Sequence, residues 1–441
     1  MIVSYHAEKN IREYASSRVG VAGGLIFLFV ATTIFFPKLD LGFAAVYIFE
    51  ALFLFLLLVQ PFGRLFKAPT LIEQSYLAYA LLALGAWFLG ALVTNFVDVK
   101  GLLLLVKYLS YVLLIPFLRI NSGLVSESLV RRALSFQYLF VFLAGGYVFF
   151  NMAFNPVSLG DMVWNYSPEY RLIGFTGQSW GLSGLSHIGN TSVQMGVHLA
   201  FLLLLSVSLL VHTGKRKYVL MIIATFVGLM LTYSRSGLLA AFIGVAYILL
   251  EKCSAKQFIV FLLPAFMVLF GAGYYFDAWD LLSSFGIFGK LIESSGVQDG
   301  SAQQRIVYVQ TGLNYLLDHP YFLLLGSGFG EEYTFLQIGT PHLESLIFTT
   351  LFQVGLLGVS LLVLHFIAIW RLAAKYYTKT ESPLIRSVLY GYKIYIPGFF
   401  LANLVGGNSL QTDFMAPFFY GILGCCMVIV SKFQRQRLHT V

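Results

Sequence analysis

The stretch Phe201–Val211 reads FLLLLSVSLLV and carries no charged side chain. Two other stretches, Val21–Phe36 and Ala44–Val59, are as apolar, with Glu50 as their one charged residue. A helix needs about 20 mostly apolar residues to cross the hydrocarbon core of a bilayer, and each stretch approaches that length with its flanks. The apolar runs are continuous rather than alternating, which favours helices over a β-barrel. The sequence therefore predicts an all-α, polytopic integral membrane protein.

The composition of the whole chain supports this prediction. Of the 441 residues, 58% are hydrophobic and only 11% are charged, too little charge to cover the surface of a water-soluble protein. The length rule predicts about twelve spans in a single transmembrane domain over residues 1–441. The predicted spans lie near 19–37, 41–60, 74–95, 101–118, 133–152, 191–211, 218–232, 236–250, 257–275, 342–370, 388–406 and 412–431.

Basic residues are distributed unequally between the two sets of span ends. One set holds most of them, including the run Lys215-Arg216-Lys217. Because Lys and Arg accumulate in cytoplasmic loops, we expect both termini to be cytoplasmic. The net charge of +8 then faces anionic membrane lipid, and no nucleic-acid-binding motif accompanies it, so nucleic acid is excluded as a partner. The predicted periplasmic side holds only Lys38, Lys100, Arg171, Arg235, Lys290 and Arg305.

Two long connections on the predicted periplasmic side interrupt the series of spans, at 155–190 and 276–341. Connections of this length are usually functional or disordered. The second contains a capping-box pattern at Ser301–Gln304, followed by apolar residues at helical spacing as far as His319-Pro320. It predicts an amphipathic helix that lies against the membrane or the bundle.

Three arginines on the predicted periplasmic side are candidates for binding an anion. Arg235 lies in a short turn between two apolar runs, with Tyr233 nearby; the alternative for Arg235 is an anchor to lipid phosphates. Arg305 is predicted in the first turn of the amphipathic helix, where its guanidinium and the free helix amides suit a phosphate. Arg171 lies in the first long connection, where a solvated loop residue is an equal alternative.

His342 is the candidate general base. Thr340-Pro341-His342 reads as an N-cap, a proline at the first helical position and a histidine in the first turn. The positive end of the helix would favour the neutral imidazole, which is the form that accepts a proton. Glu344 would tune this histidine or bind sugar hydroxyls, although an acid in a first turn is also favoured by the helix dipole alone.

The sequence holds no pattern for a metal or a nucleotide cofactor. The cysteines, Cys253, Cys425 and Cys426, lie at or within apolar runs, and no cluster of His, Cys and Asp has metal-ligand spacing. The glycine-rich stretch Gly326–Gly330 does not follow a strand, so it is interpreted as a tight turn rather than a dinucleotide site. We therefore expect neither a metal nor a cofactor.

These elements, in order, resemble the O-antigen polymerase and ligase family of bacterial membrane glycosyltransferases. The resemblance rests on Leu231–Gly237, on Arg305 with the helix into Asp318-His319-Pro320, on Gly326–Gly330, and on His342 with Gln353–Gly358. It covers roughly residues 171–358.

The resemblance implies a metal-independent enzyme of the bacterial inner membrane with its active site on the periplasmic face. It would move a glycan from an undecaprenyl-diphosphate-linked oligosaccharide to an acceptor hydroxyl. Arg171, Arg235 and Arg305 would hold the diphosphate, and His342 would act on the hydroxyl. Membrane lipid and a chain-length regulator protein are the further partners that it implies.

Two departures from the ligase pattern favour a polymerase of surface polysaccharide. Leu343 follows the histidine where ligases tend to have Asn, and Thr176-Gly177-Gln178 replaces their Asn-Pro-Asn. The alternatives are an O-antigen ligase that transfers finished polymer to lipid A core, and a flippase or transporter of lipid-linked sugars. Transporters often carry charges deep in paired spans, and here only Glu50 and Lys107 do so clearly.

Overall fold

The computed structural model describes residues 48–154, 191–232, 234–252, 300–340, 345–405 and 415–440, together with Leu343, a few helical residues between 23 and 30, and four short strands. Helices dominate this part of the chain, as the sequence predicts. They are α1 (Ile48–Val59), α2 (Phe62–Leu65), α3 (Leu71–Thr94), α4 (Val99–Ile120), α5 (Glu127–Phe154), α6 (Thr191–Thr213), α7 (Lys217–Leu231), α8 (Arg235–Lys252), α9 (Gly300–Asp318), α10 (Pro320–Leu325), α11 (Glu331–Ile338), α12 (Leu346–Tyr377), α13 (Pro383–Val405) and α14 (Met415–Thr440).

Five described helices are long and apolar enough to cross a membrane: α3, α4, α12, residues 194–213 of α6 and residues 415–437 of α14. Helices α1, α7 and α8 are apolar but shorter. The span predicted at 257–275 lies outside the described residues, so the prediction of twelve spans stays a prediction.

A small sheet accompanies the helices and was not predicted. Its strands are β1 (Lys38–Asp40), β2 (Ala45–Val46), β3 (Gln178–Gly181) and β4 (Gly184–His187), in the order β2-β1-β3-β4. β1 pairs in parallel with β3, with Lys38 opposite Ser179, and the other two pairs are antiparallel. The sheet joins the connection before α1 to the first long connection, two segments that the charge pattern assigns to the same side. The predicted span at 41–60 is helical only from Ile48.

The core lies where α6, α13 and α14 meet. Phe201 of α6 is completely buried, and its ring centroid lies 4.9 Å from those of Tyr392 and Tyr395 of α13. Edge-to-face and tilted arrangements of this kind add to the free energy of simple burial. Tyr395 also donates a hydrogen bond to the carbonyl of Val197, 3.1 Å away, which ties α13 to α6 near the start of α6.

The two charges predicted within spans pair with each other. Lys107 Nζ lies 3.3 Å from Glu50 Oε2, both side chains are buried, and Tyr111 donates a hydrogen bond to Glu50. A buried charge that is paired and hydrogen-bonded avoids most of the cost of an isolated one. This arrangement suits a structural link between α1 and α4.

A series of contacts shows that several helix ends lie at the same end of the bundle. The start of α6 meets the α7–α8 turn, where a Cβ at Gly196 would contact Ser234. α8 crosses α13 where Gly398 contacts Ala240. The end of α13 meets the start of α12. The start of α12 also meets the end of α3 through the segment 326–330, which we call the glycine loop. This set is the one that the charge pattern predicts to be periplasmic, and we call it the loop end.

The opposite set of helix ends is the basic one. Arg119 pairs with Glu73 at 3.2 Å and donates to two carbonyls of the α2–α3 connection. Lys432 donates to the carbonyl of Ser122 at 2.6 Å. These contacts fasten the ends of α3, α4 and α14 together on the side predicted to be cytoplasmic.

Candidate functional site

Arg235 is the first residue of α8, rather than part of an irregular turn as the sequence suggests. Ser234 precedes it and acts as the helix cap, because its hydroxyl accepts a hydrogen bond from the amide of Gly237 at 3.1 Å. Ser234 is buried against Gly196 of α6, and Gly237 contacts the backbone of Gly196. The backbone of Arg235 is therefore fixed between two helices at the loop end. Its side chain and Tyr233 lie outside what the structure describes.

Arg305 lies on the face of α9 that packs against the bundle. Gly312 and Leu316 are buried on this face, and Arg305 precedes Gly312 by seven residues, which is two helical turns. Helix α9 begins at Gly300, so Arg305 is its sixth residue. The prediction that Arg305 lies in the first turn is wrong. Arg305 lies about half a turn beyond it, because the helix starts earlier than the capping-box pattern indicates. The contribution of the free helix amides is weaker there, since the dipole effect is confined to the first turn.

The segment before α12 differs from the prediction. Helix α12 begins at Leu346, and its cap is Ser345, whose hydroxyl accepts from the amide of Phe348 at 3.4 Å. The prediction that His342 lies in the first helical turn is therefore wrong. Ser345 is the cap in place of the predicted Thr340. Its hydroxyl also donates to the carbonyls of Asn403 and Leu404 at 3.1 and 3.0 Å, a tertiary contact that sequence spacing does not reveal.

Leu343 anchors this segment. It is buried in a small apolar cluster with Leu316 of α9, Phe322 of α10 and Phe352 of α12. A Cβ on Gly312 would lie 3.1 Å from Leu343 Cδ1, so α9 packs directly on the segment. Thr340 is buried as well. His342 therefore stands between two anchored residues, while His342 and Glu344 themselves lie outside the described residues.

The fold brings three of the predicted elements to the same end of the bundle. Helices α8 and α13 cross where Gly398 contacts Ala240. Arg235 lies five residues before Ala240 and Asn403 lies five residues after Gly398, so both lie roughly 7 Å beyond the crossing, towards the same end of the bundle. Ser345, just before α12, donates a hydrogen bond to the carbonyl of Asn403 of α13. Gly312 of α9 packs on Leu343. The start of α8, the bundle-facing side of α9 and the segment 340–345 thus share the loop end. Arg171 lies outside the described residues.

The glycine loop and a kink in α12 support this end. Gly355 has φ +78° inside α12 and contacts the carbonyl of Leu324. Gly326 has φ +84° and contacts the carbonyl of Gln353. The amide of Ser327 donates to the carbonyl of Phe352 at 2.8 Å, so loop backbone and helix backbone are joined directly. The sequence predicts a tight turn with close backbone approach here, and that prediction is confirmed.

Asp98 ties the glycine loop to the α3–α4 turn and was missed in the sequence. Its Oδ1 accepts from the amide of Gly101 at 2.8 Å, its amide donates to Tyr333 Oη at 3.0 Å, and its carbonyl accepts from Trp87. Its Oδ2 lies beside Gly330 and has no hydrogen-bond partner among the described residues. Burial raises the pKa of the Asp98 carboxyl, the Gly101 amide opposes this shift, and the Glu332 carboxylate adds to it. The N-cap pattern of Asp98 before an apolar run was the available signal.

Within the described part of the chain, no group of three or more His, Cys, Asp or Glu side chains could hold a metal ion.

Residues 220–363 match the O-antigen ligase family. The matched segment runs from α7 through most of α12. It contains Tyr233, Arg235, Arg305, His342 and Glu344, and it leaves out Arg171. The resemblance inferred from the sequence is confirmed over this segment, which is about a third of the chain. No curated protein matches the chain.

Proposed function

We propose that the chain is a polymerase of O-antigen or a related surface polysaccharide, acting on undecaprenyl-diphosphate-linked oligosaccharides at the periplasmic face of the bacterial inner membrane. One observation carries this proposal. The segment that matches the O-antigen ligase family is the one whose backbone gathers the start of α8, the inner face of α9 and the segment 340–345. Two arginines and a histidine then serve one site.

The reaction is a glycosyl transfer. An acceptor hydroxyl oxygen attacks the anomeric carbon of the donor, and the bond from that carbon to the diphosphate oxygen breaks with its electron pair leaving on undecaprenyl diphosphate. Arg235 and Arg305, joined by Arg171, offset the charge that develops on the leaving diphosphate. The His342 imidazole takes the proton of the hydroxyl. Tyr233 and Glu344 are proposed to bind the substrate sugars.

Leu343 supports the choice of a polymerase over a ligase. The departure from the ligase pattern at this position is a buried core residue, so Asn at the same place would bury an amide in an apolar cluster, at a cost in free energy. The segment is therefore built around a different anchor from the one that ligases tend to have.

An O-antigen ligase is the second candidate, because that is the description of the matching family. Purified protein offered a lipid-linked repeat unit together with lipid A core distinguishes the two. Longer lipid-linked glycans are the expected product, and glycan attached only to lipid A core would make the protein a ligase. Because Glu50 and Lys107 pair with each other, they give no support to a transporter.

A further inference from the structure

The outer helices α9, α10 and α11 expose large apolar side chains outside the spans. Leu317 is 71% exposed, Tyr321 62% and Leu324 51%, while Phe335 and Leu336 of α11 are 52% and 55% exposed. A water-soluble surface seldom keeps so many large apolar residues together without a partner that covers them.

Helix α9 has a buried face and an exposed face. Gly312 and Leu316 are buried against the bundle. Ile306 and Leu317 are exposed and eleven residues apart, so they lie on one line three turns long. Gln310 lies on the same line, seven residues before Leu317, whereas Asn314 and Asp318 lie about 60–100° around the helix from Leu317. A helix with one face against protein and apolar side chains along one edge of its exposed face is suited to lie in the plane of a membrane interface.

The apolar surface continues onto two candidate spans. Leu356 and Leu357 are exposed on α12 immediately after Gly355, which contacts the backbone of α10 at Leu324. Just beyond the end of α3, Phe96 is 45% exposed, and its ring centroid lies 6.4 Å from that of Tyr333 of α11. Exposed apolar side chains of α12 and of the end of α3 therefore adjoin the outer helices.

We propose that α9 to α11 form an interfacial platform, whose residues Ile306, Leu317, Tyr321, Leu324, Phe335 and Leu336 insert into the acyl chains of the adjoining leaflet. The occupant of this surface is membrane lipid, because the surface adjoins the candidate spans α3 and α12 and includes four exposed hydrophobic side chains of α10: Tyr321, Leu323, Leu324 and Leu325. An interfacial helix lies about 5–10 Å into the boundary between headgroups and acyl chains.

One consequence concerns substrate binding and rests on the proposed function. A helix held at that depth keeps Arg305, on its bundle-facing side, near the level of the lipid phosphates. The diphosphate of a membrane-anchored carrier occupies the same level, so the carrier need not leave the bilayer to reach the site.

The experiment places a nitroxide label at Leu317→Cys, Leu324→Cys or Asn314→Cys in full-length protein that carries Cys253→Ala. Cys425 and Cys426 are buried and serve as a labelling blank in the parent. The protein is reconstituted in vesicles of phosphatidylethanolamine and phosphatidylglycerol. Power saturation compares collisions with oxygen, which concentrates in the acyl region, and with a water-soluble nickel chelate.

At positions 317 and 324 we expect collisions with oxygen to exceed those with nickel, and at position 314 we expect the reverse. Nickel collisions that dominate at 317 and 324 would show a water-facing surface and overturn the proposal. Dipolar broadening between labels at 324 would show a second copy of the chain as the occupant and would overturn it equally. Neither readout uses activity, so a failure here is distinct from a failure of the proposed function.

Discussion

Arg235 and Arg305 are held in different ways, although both are proposed to bind one diphosphate. Arg235 is the first residue of α8, and the crossing of α8 with α6 at Gly196 and Gly237 fixes its backbone. Arg305 depends on the packing of Gly312 against Leu343, two turns farther along α9. Both arrangements hold the backbone of an arginine in place, and the proposed role of the two guanidinium groups is to stabilise the charge that develops on the diphosphate.

Replacing either arginine by lysine keeps the charge but removes the planar pair of donors that grips a diphosphate. We expect Arg235→Lys and Arg305→Lys to lose most of their polymerisation rate while the protein still inserts and accumulates. Arg132→Lys, at an exposed position of the basic end, is the matched control. A near-normal rate for either site variant would make that arginine an anchor to lipid.

His342 stands before α12 rather than inside it, so the argument from the helix dipole no longer applies to it. The role as base rests on its place between the buried residues Thr340 and Leu343. His342→Gln should lower turnover by about 10²–10⁴-fold while donor binding persists. In the wild type, turnover should fall as acid protonates the imidazole. Normal polymer made at a normal rate by His342→Gln would contradict the assignment.

Asp98 predicts an unusual dependence of stability on pH. Its pKa is raised by burial, so the folded state binds the proton more tightly than the unfolded state. The stability that this adds is present at low pH and is lost as pH rises through the raised pKa. Asp98→Asn keeps a good N-cap without the charge, whereas Asp98→Ala should cost about 1 kcal/mol.

Thermal unfolding in detergent across a pH series measures this effect. The Tm of the wild type should fall below that of Asp98→Asn as pH rises, and Asp98→Ala should lie below Asp98→Asn throughout. A constant gap between wild type and Asp98→Asn at every pH would contradict the account.

At the scale of elements, helix positions follow from local patterns and irregular backbone does not. The span predicted at 191–211 appears as α6 with two extra residues at its end, and the span predicted at 101–118 appears as α4 with two extra residues at each end, because uninterrupted apolar runs set their length. Helix α9 ends before His319-Pro320 as predicted. The later start of α12 and its kink at Gly355 depend on contacts with Asn403 and Leu324, far away in sequence.

The kink gives a prediction with an internal control. Gly355→Ala adds a Cβ both at a positive φ and against the carbonyl of Leu324. Gly339→Ala adds one at φ +73° with open space around it. The second change should cost only the strain of the backbone, about 1–2 kcal/mol. Gly355→Ala should lower the Tm more and reduce activity, because the glycine loop must move. Equal effects would show that the close approach is unimportant.

At the scale of the whole molecule, the basic end and the loop end contain different kinds of groups. The basic end holds ion pairs and carbonyl contacts of Arg119 and Lys432. The loop end gathers the matched family segment, the glycine loop and the outer helices. The charge pattern predicted this division, whereas the sheet that joins the segments before α1 and after α5 arises from pairing across more than a hundred residues, which no local pattern indicates.

The most direct test of the account follows the products of the purified protein in vesicles that contain only an undecaprenyl-diphosphate-linked repeat unit, with a chelator present. The account predicts a ladder of longer lipid-linked glycans, with one undecaprenyl diphosphate released for each new glycosidic bond, and no ladder from His342→Gln. Vesicles in which the repeat units stay at their starting length, although the protein is folded and correctly inserted, would contradict the claim that this chain is a polymerase.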